Sequence, residues 1–223
     1  MSVKLGKNWL EAEKRRHKLE KENLETELKY LKSQINPHFL FNTINSIFSL
    51  IPKNPDLASE SLANFSEMLR YQLYECNDAK IALEKELNFI ENFIDLERLR
   101  LNESHTELYF NIDNSSVKKH AIAPFILIPF IENAFKHVSK GKGQKNFIRM
   151  DLRVNDLTLN LKIENSFVDG NKLPSDDDAQ CNGIGLKNVS RRLDLIYAHR
   201  HRLKYGATNN KFSVILNIEW LQN

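Results

Sequence analysis

Ser33-Gln34-Ile35-Asn36-Pro37-His38-Phe39-Leu40-Phe41-Asn42 carries the one proline found between Leu5 and Leu50, a span whose one glycine is Gly6. A proline inside a helix removes a backbone hydrogen bond and costs about 3 kcal/mol, so an apolar pattern that continues on both sides predicts a kink rather than a stop. Upstream, Leu24, Leu28, Leu31 and Ile35 recur at alternating spacings of four and three, which is a coiled-coil seam. Glu20, Lys21, Glu22, Glu25, Glu27 and Lys29 clothe the other faces and read as solvated charge. At 1.5 Å per residue such a helix extends about 65 Å, more than a small domain covers, so the apolar stripe needs a second helix and a homodimer is expected. Carried through the kink, the heptad returns His38 to the seam, where a buried structural histidine and a functional one are both open.

Downstream, Pro52-Lys53-Asn54-Pro55 signals a turn, and Leu57, Leu62, Phe65, Met68, Leu69, Leu73 and Tyr74 mark a second amphipathic helix. Two helices joined this way form a hairpin that, paired across a dimer, gives a four-helix bundle with His38 near one shoulder. A third helix, Leu83 to Leu101, carries Leu87, Ile90, Ile94 and Leu101 and either packs on the next domain or links to it. Near residue 105 the texture changes. Glu107 to Ile112, Phe147 to Val154, Leu157 to Glu164 and Phe212 to Ile218 alternate like half-buried strands, with helices over Pro124 to Val138 and Leu186 to Tyr197. Helices on one face of a mixed sheet, an α+β two-layer sandwich, are expected after the all-α hairpin.

Composition excludes several classes. With 41% hydrophobic and 27% charged residues the chain can bury a core. The net charge of +3, with both signs interleaved, gives no basic stripe for direct nucleic-acid binding. Cys76 and Cys181 lie far apart without ligand spacing, which argues against a zinc site or disulfide framework and reads as reduced and cytosolic. No stretch approaches the roughly 18 to 20 apolar residues of a membrane span. The abrupt charged start resembles a fragment cut just after a membrane anchor.

Two places carry chemistry. Asn133, Lys136 and His137 crowd the end of an apolar helix; they suit a phosphate or hydrated metal, and equally the capping of a helix C-terminus. Gly183-Ile184-Gly185-Leu186 runs into a helix that also holds Asn188 and Arg192; bare backbone N–H groups there suit an anion, and the alternative is a plain loop.

Together these stretches resemble the LytS-like sensor histidine kinases with a C-terminal Bergerat-type ATPase module, over nearly all of residues 8–220. Gln34 to Ile47 resembles the family's phosphoacceptor motif, Leu69-Arg70-Tyr71 the end of its second dimerisation helix, Pro129 to His137 its N box, and Gly183 to Asn188 with Arg192-Leu193 its glycine box. The resemblance implies a coiled-coil signalling helix over 1–30, a dimerisation and phosphotransfer hairpin over 31–80, a linking helix over 81–104 and an ATP-binding domain over 105–223. It implies that ATP with Mg²⁺ binds this last domain, and that His38, largely neutral near pH 7 for an ordinary pKa of about 6.5, takes the γ-phosphoryl group. Asn133 would then hold Mg²⁺, while Lys136, His137, Gly183, Gly185, Leu186, Asn188 and Arg192 meet the nucleotide. Asn42, one turn after His38, is placed to orient its ring. The implied partners are a second copy and a response regulator of the LytTR type, and the implied location is the cytoplasmic side of an inner-membrane sensor.

The chain departs from the wider pattern in two ways. Phe39 stands where many histidine kinases carry an acidic residue, which leaves the general base unassigned. The Asp-x-Gly-x-Gly box is absent; Ile163-Glu-Asn-Ser-Phe167 puts Asn165 where the aspartate would be, able to accept from an adenine amine but uncharged. Val168 to Asn182, with Asp169 and Asp176 to Asp178, reads as an ATP lid or as an ordinary acidic loop. The rival reading is a degenerate kinase that serves as a dimeric scaffold or as a phosphatase on the regulator.

Overall fold

The computed structural model describes residues 13, 37–76, 78–101, 106–113, 116–138, 146–167 and 184–220. The seam of Leu24 to Ile35, Cys181, Gly183 and the acidic stretch from Val168 to Asn182 lie outside the described residues. Helix α1 (Pro37–Leu50) is described from the proline onward, so the predicted kink falls at the edge of the described residues. Phe39, Thr43 and Ile47 form its buried face at intervals of one turn. After a short turn, Asn54 caps α2 (Pro55–Arg70): its side chain accepts the Leu57 N–H at 3.1 Å, and Pro55 takes the first helical position. Ala58, Ser61, Phe65 and Met68 face inward. The helix then widens into a π-helical turn, Tyr71–Glu75, with Tyr71 buried.

Strand β1 (Ile81–Ala82) leads into α3 (Leu83–Arg98), the element on which both halves of the chain pack. It has apolar surface on more than one side, with Leu83, Leu87, Phe89, Ile90, Phe93, Ile94 and Leu96 all buried. Then come β2 (Thr106–Asp113), a 3-10 turn (Val117–Lys119) and β3 (Ala121–Ile122), which pairs with β1. Helix α4 (Ile128–His137), β4 (Asn146–Val154), β5 (Thr158–Ser166), α5 (Ile184–Ile196), β6 (His201–Thr208) and β7 (Lys211–Glu219) complete the order. The five-stranded sheet runs β2-β4-β5-β7-β6, with β2 parallel to β4 and the other pairs antiparallel. Register stacks one apolar row per layer: Met150, Ile163 and Val214 align, as do Leu152, Leu161 and Leu216, all buried. Arg149 and Arg153 alternate with them on the exposed face.

The helical region followed by a mixed-sheet domain agrees with the sequence expectation. Two boundaries differ. Helix α4 starts at Ile128 rather than Pro124 because Phe125 has φ 55, a left-handed conformation that no α-helix contains. Helix α5 takes Gly185 into its first turn instead of following it. Hairpin residues Phe39, Ile47, Met68 and Tyr71 share one continuous core with Met150, Leu161 and Leu216 of the sheet.

Candidate nucleotide site and phosphoacceptor helix

The C-terminal end of α4 is where the predicted site residues converge. The helix buries Ile128, Phe130, Ile131, Ala134 and Phe135, which leaves Asn133 and His137 half-buried and Lys136 exposed on the remaining face. Asn165, 1% exposed, reaches the same helix end from β5. Its Nδ2 donates to the carbonyl of His137 at 3.4 Å and to that of Ser166 at 3.0 Å. With the nitrogen so held, the amide oxygen is the atom left to accept from a ligand. Ser166 in turn donates to Asn146 Oδ1 at 3.4 Å and accepts the Phe147 N–H at 3.3 Å, which ties the β5 end to the start of β4.

Burial, and then the neighbouring charge of Lys136, hold the His137 pKa below its ordinary value, so the ring is neutral at neutral pH. Glu132 moves the other way. It has an exposed edge, yet the protein around its carboxyl and then the like charge of Glu97 push it up to about 7, against the pull of Lys136. Helix α5 packs against α4, and at Gly185 an added Cβ would meet nothing within 4 Å, so the backbone of this first turn is bare toward open space. Leu186 is buried, which leaves only its backbone to a ligand, and Asn188 is exposed.

Arg192 is placed differently from the other glycine-box residues. Its guanidinium donates to the carbonyls of Pro124 at 2.9 Å and Phe125 at 3.3 Å, so it braces the turn that enters α4. That turn is held from two further sides. Glu86, fully buried on α3, accepts the N–H groups of Phe125 at 3.0 Å and Leu127 at 3.4 Å and the hydroxyl of Tyr71 at 2.5 Å, while Tyr197 Oη accepts the Ala123 N–H at 2.9 Å. Burial raises the Glu86 pKa, and the Tyr71 and backbone donors oppose it. Glu86 was not singled out from the sequence, and Tyr71 only within the Leu69-Arg70-Tyr71 motif, although one signal exists for the carboxylates: Leu83, Glu86, Ile90, Phe93 and Glu97 fall at spacings of three and four, so Glu86 and Glu97 share the phase of a buried stripe.

His38 is the second residue of α1, and its side chain lies outside the described residues. Helix positions 38, 42, 45 and 49 share one face, and Asn42 is half-buried. Phe39 is buried and stacks on Phe93 of α3 at 5.1 Å.

The histidine kinase family model matches residues 26–105. Sensor protein LytS of Staphylococcus haemolyticus is 34% identical over 191 residues, which is 82% of this chain and 32% of that protein. Sensor histidine kinase YpdA of Escherichia coli is 36% identical over 195 residues, 81% of this chain and 33% of that one. The chain is a homologue of the LytS-like sensor histidine kinases. It spans about a third of the length of these curated relatives. Among solved structures, histidine kinase AdeS of Acinetobacter baumannii aligns at 17% identity and a TM-score of 0.40, over 88% of this chain and 96% of that one. The α4, β5 and α5 geometry described above lies C-terminal to the residues that the family model matches, in the part of the chain where the sequence predicts an ATP-binding domain. Among the described residues no helix is long and apolar enough to cross a membrane.

Proposed function

We propose that this LytS-like chain is the kinase core of a two-component sensor, which binds ATP at the end of α4, transfers the γ-phosphoryl group to His38 and passes it to an aspartate of a response regulator. The observation that supports this most is the bond from Asn165 to the carbonyl of His137, which joins an adenine-reading side chain to the helix end bearing Asn133 and Lys136. Lys136 is suited to a phosphate as an exposed cation, and neutral His137 as a hydrogen-bond partner. Gly183, Gly185 and Leu186 would offer backbone N–H groups, and Asn188 its amide, at the start of α5. Arg192 fits better as the brace of the α4 entry than as a nucleotide contact.

The donor set suits Mg²⁺. Among the described residues no group of three or more His, Cys, Asp or Glu forms an all-protein cage, and Mg²⁺ is commonly held by one or two protein oxygens together with substrate phosphates. Asn133 would supply that oxygen; the bound ion neutralises phosphate charge. Asn42, on the face of position 38, would orient the histidine ring.

The chain would assemble as a homodimer. Phe41, Ile44 and Phe48 recur at three and four along α1, with Ile51 just past its end, and all are exposed, as are Leu62 and Leu73 on the second helix and its extension. An exposed apolar stripe of this kind suits a second copy, and it lies one residue, about 100° around the helix, from the phase of the upstream heptad. The division into 1–30, 31–80, 81–104 and 105–223 belongs to the same reading, as do a regulator of the LytTR type and a cytoplasmic position behind a membrane anchor.

Incubation with γ-labelled ATP and Mg²⁺ tests the reading. Label that is lost in acid, survives base and is missing from His38→Ala supports it, and an unlabelled wild-type dimer refutes it. One observation favours the rival scaffold or phosphatase reading: Asn165 is uncharged where an aspartate is usual. A nucleotide titration with no binding at millimolar ATP would select that rival.

A further inference from the structure

Phe39 follows His38 directly and belongs to the buried face of α1. Its ring stacks on Phe93 at 5.1 Å with an interplanar angle of 24°. Phe93 meets Phe135 of α4 edge to face at 6.0 Å and 84°. Phe135 lies between Asn133 and Lys136 in sequence, and its ring also stacks on Phe110 of β2 at 6.3 Å. Phe93 therefore touches both α1, at the residue after His38, and α4, between Asn133 and Lys136, so the ladder joins the two helices within the chain.

The apolar stripe offered to a second copy lies elsewhere on α1. Phe41, Ile44 and Phe48 are exposed while Phe39, Thr43 and Ile47 are buried, so pairing through the stripe leaves the ladder in place. We propose that Phe93 is a positioning residue that seats the start of α1 against the nucleotide helix of the same chain, so that His38 is phosphorylated in cis within the dimer. This rests on the kinase reading above. In the step itself, the lone pair of an unprotonated ring nitrogen of neutral His38 forms the bond to the γ-phosphorus. The bond from that phosphorus to the β,γ-bridging oxygen breaks, ADP leaves with the electron pair, and the proton on the other ring nitrogen passes to water.

Mixed dimers carrying two different tags decide between cis and trans. A dimer of one His38→Ala chain with one Asn133→Ala chain should take no label, whereas a dimer of wild type with a chain bearing both substitutions should label its wild-type chain at the wild-type rate per active chain. Label in the first mixed dimer, or none in the second, overturns the proposal while leaving the kinase reading intact; an unlabelled wild-type homodimer overturns both. Phe93→Ala should slow labelling by about 100-fold at unchanged affinity for a fluorescent ATP analogue, with partial rescue in Phe93→Leu. A Phe93→Ala chain that labels at the wild-type rate, or whose nucleotide affinity falls in step with its rate, removes Phe93 from the positioning role.

Discussion

At Gly185 of α5 a methyl group would touch none of the described residues. Alanine is favoured over glycine within a helix by up to about 1 kcal/mol, so Gly185→Ala should raise stability slightly in thermal unfolding. If phosphate oxygens approach this turn, the same methyl should weaken ATP binding by about tenfold, the equivalent of one charge-assisted hydrogen bond. A more stable variant with unaltered affinity would place the phosphates elsewhere. Glu132 gives a pH test at the same helix. Its folded pKa of about 7 lies above the ordinary 4.5, so the stability linked to it is complete below about pH 4.5 and is lost as pH rises through 7. Glu132→Gln should therefore match wild type in melting temperature at pH 4.5 and exceed it at pH 8; equal melting temperatures at both would mean that the carboxyl titrates normally. Asn133 and Lys136 were legible as site candidates because polar groups at the end of an apolar helix need a reason to be there, and Asn165 only from its place in the box that the family resemblance aligns. The brace formed by Arg192 was not, since an arginine two turns into a helix has the same spacing whether it meets a phosphate or two carbonyls.

Among the elements, the segment that enters α4 is the most heavily restrained. Phe125, at φ 55, is held by Glu86 at its N–H and by Arg192 at its carbonyl, and its ring stands edge-on to Tyr71 and Phe89, both at 5.5 Å. Tyr71 closes the second hairpin helix, so the same carboxylate serves the hairpin and the nucleotide helix. Tyr71→Phe removes the donor at 2.5 Å and should cost roughly 1 to 3 kcal/mol in urea unfolding, without loss of helical content. Glu86→Ala should cost more, because it leaves the Tyr71 hydroxyl and two backbone N–H groups buried without their acceptor. An unchanged midpoint for either variant would show that the junction contributes no stability. Elements with strong periodicity were readable: α2 from its apolar spacing and its Asn54-Pro55 start, and β4, β5 and β7 from alternation. Strand β6 was not, because it lies at the sheet edge, pairs only with β7 and buries no side chain fully, so His201 to Thr208 shows no apolar alternation. Its clearest mark is the turn at Asn209-Asn210, both residues at positive φ, a pairing that suits a tight hairpin.

For the whole molecule, α1 has to serve two neighbours at once. One face is fixed on α3 of its own chain through Phe39, and another presents Phe41, Ile44 and Phe48, the last 74% exposed. An exposed apolar row beside a sealed one is hard to reconcile with a lone chain in water, since each buried square ångström of apolar surface contributes about 25 cal/mol. The sequence indicated a dimer through the heptads before Pro37; the exposed row on α1 has a different phase and is a separate apolar surface for a second copy to cover. Charge placed on this apolar row therefore separates assembly from folding. Ile44→Glu with Phe48→Glu removes two apolar side chains from the dimer row and touches none of the buried residues, so the circular dichroism spectrum and melting of each chain's sheet domain should persist. Light scattering should report the mass of one chain where wild type gives two. Under the cis arrangement such a monomer still carries its own His38 seated beside its own nucleotide helix, so labelling per chain should survive within a few-fold and be independent of chain concentration. A dimer that resists both substitutions would move the interface to the upstream coiled coil alone.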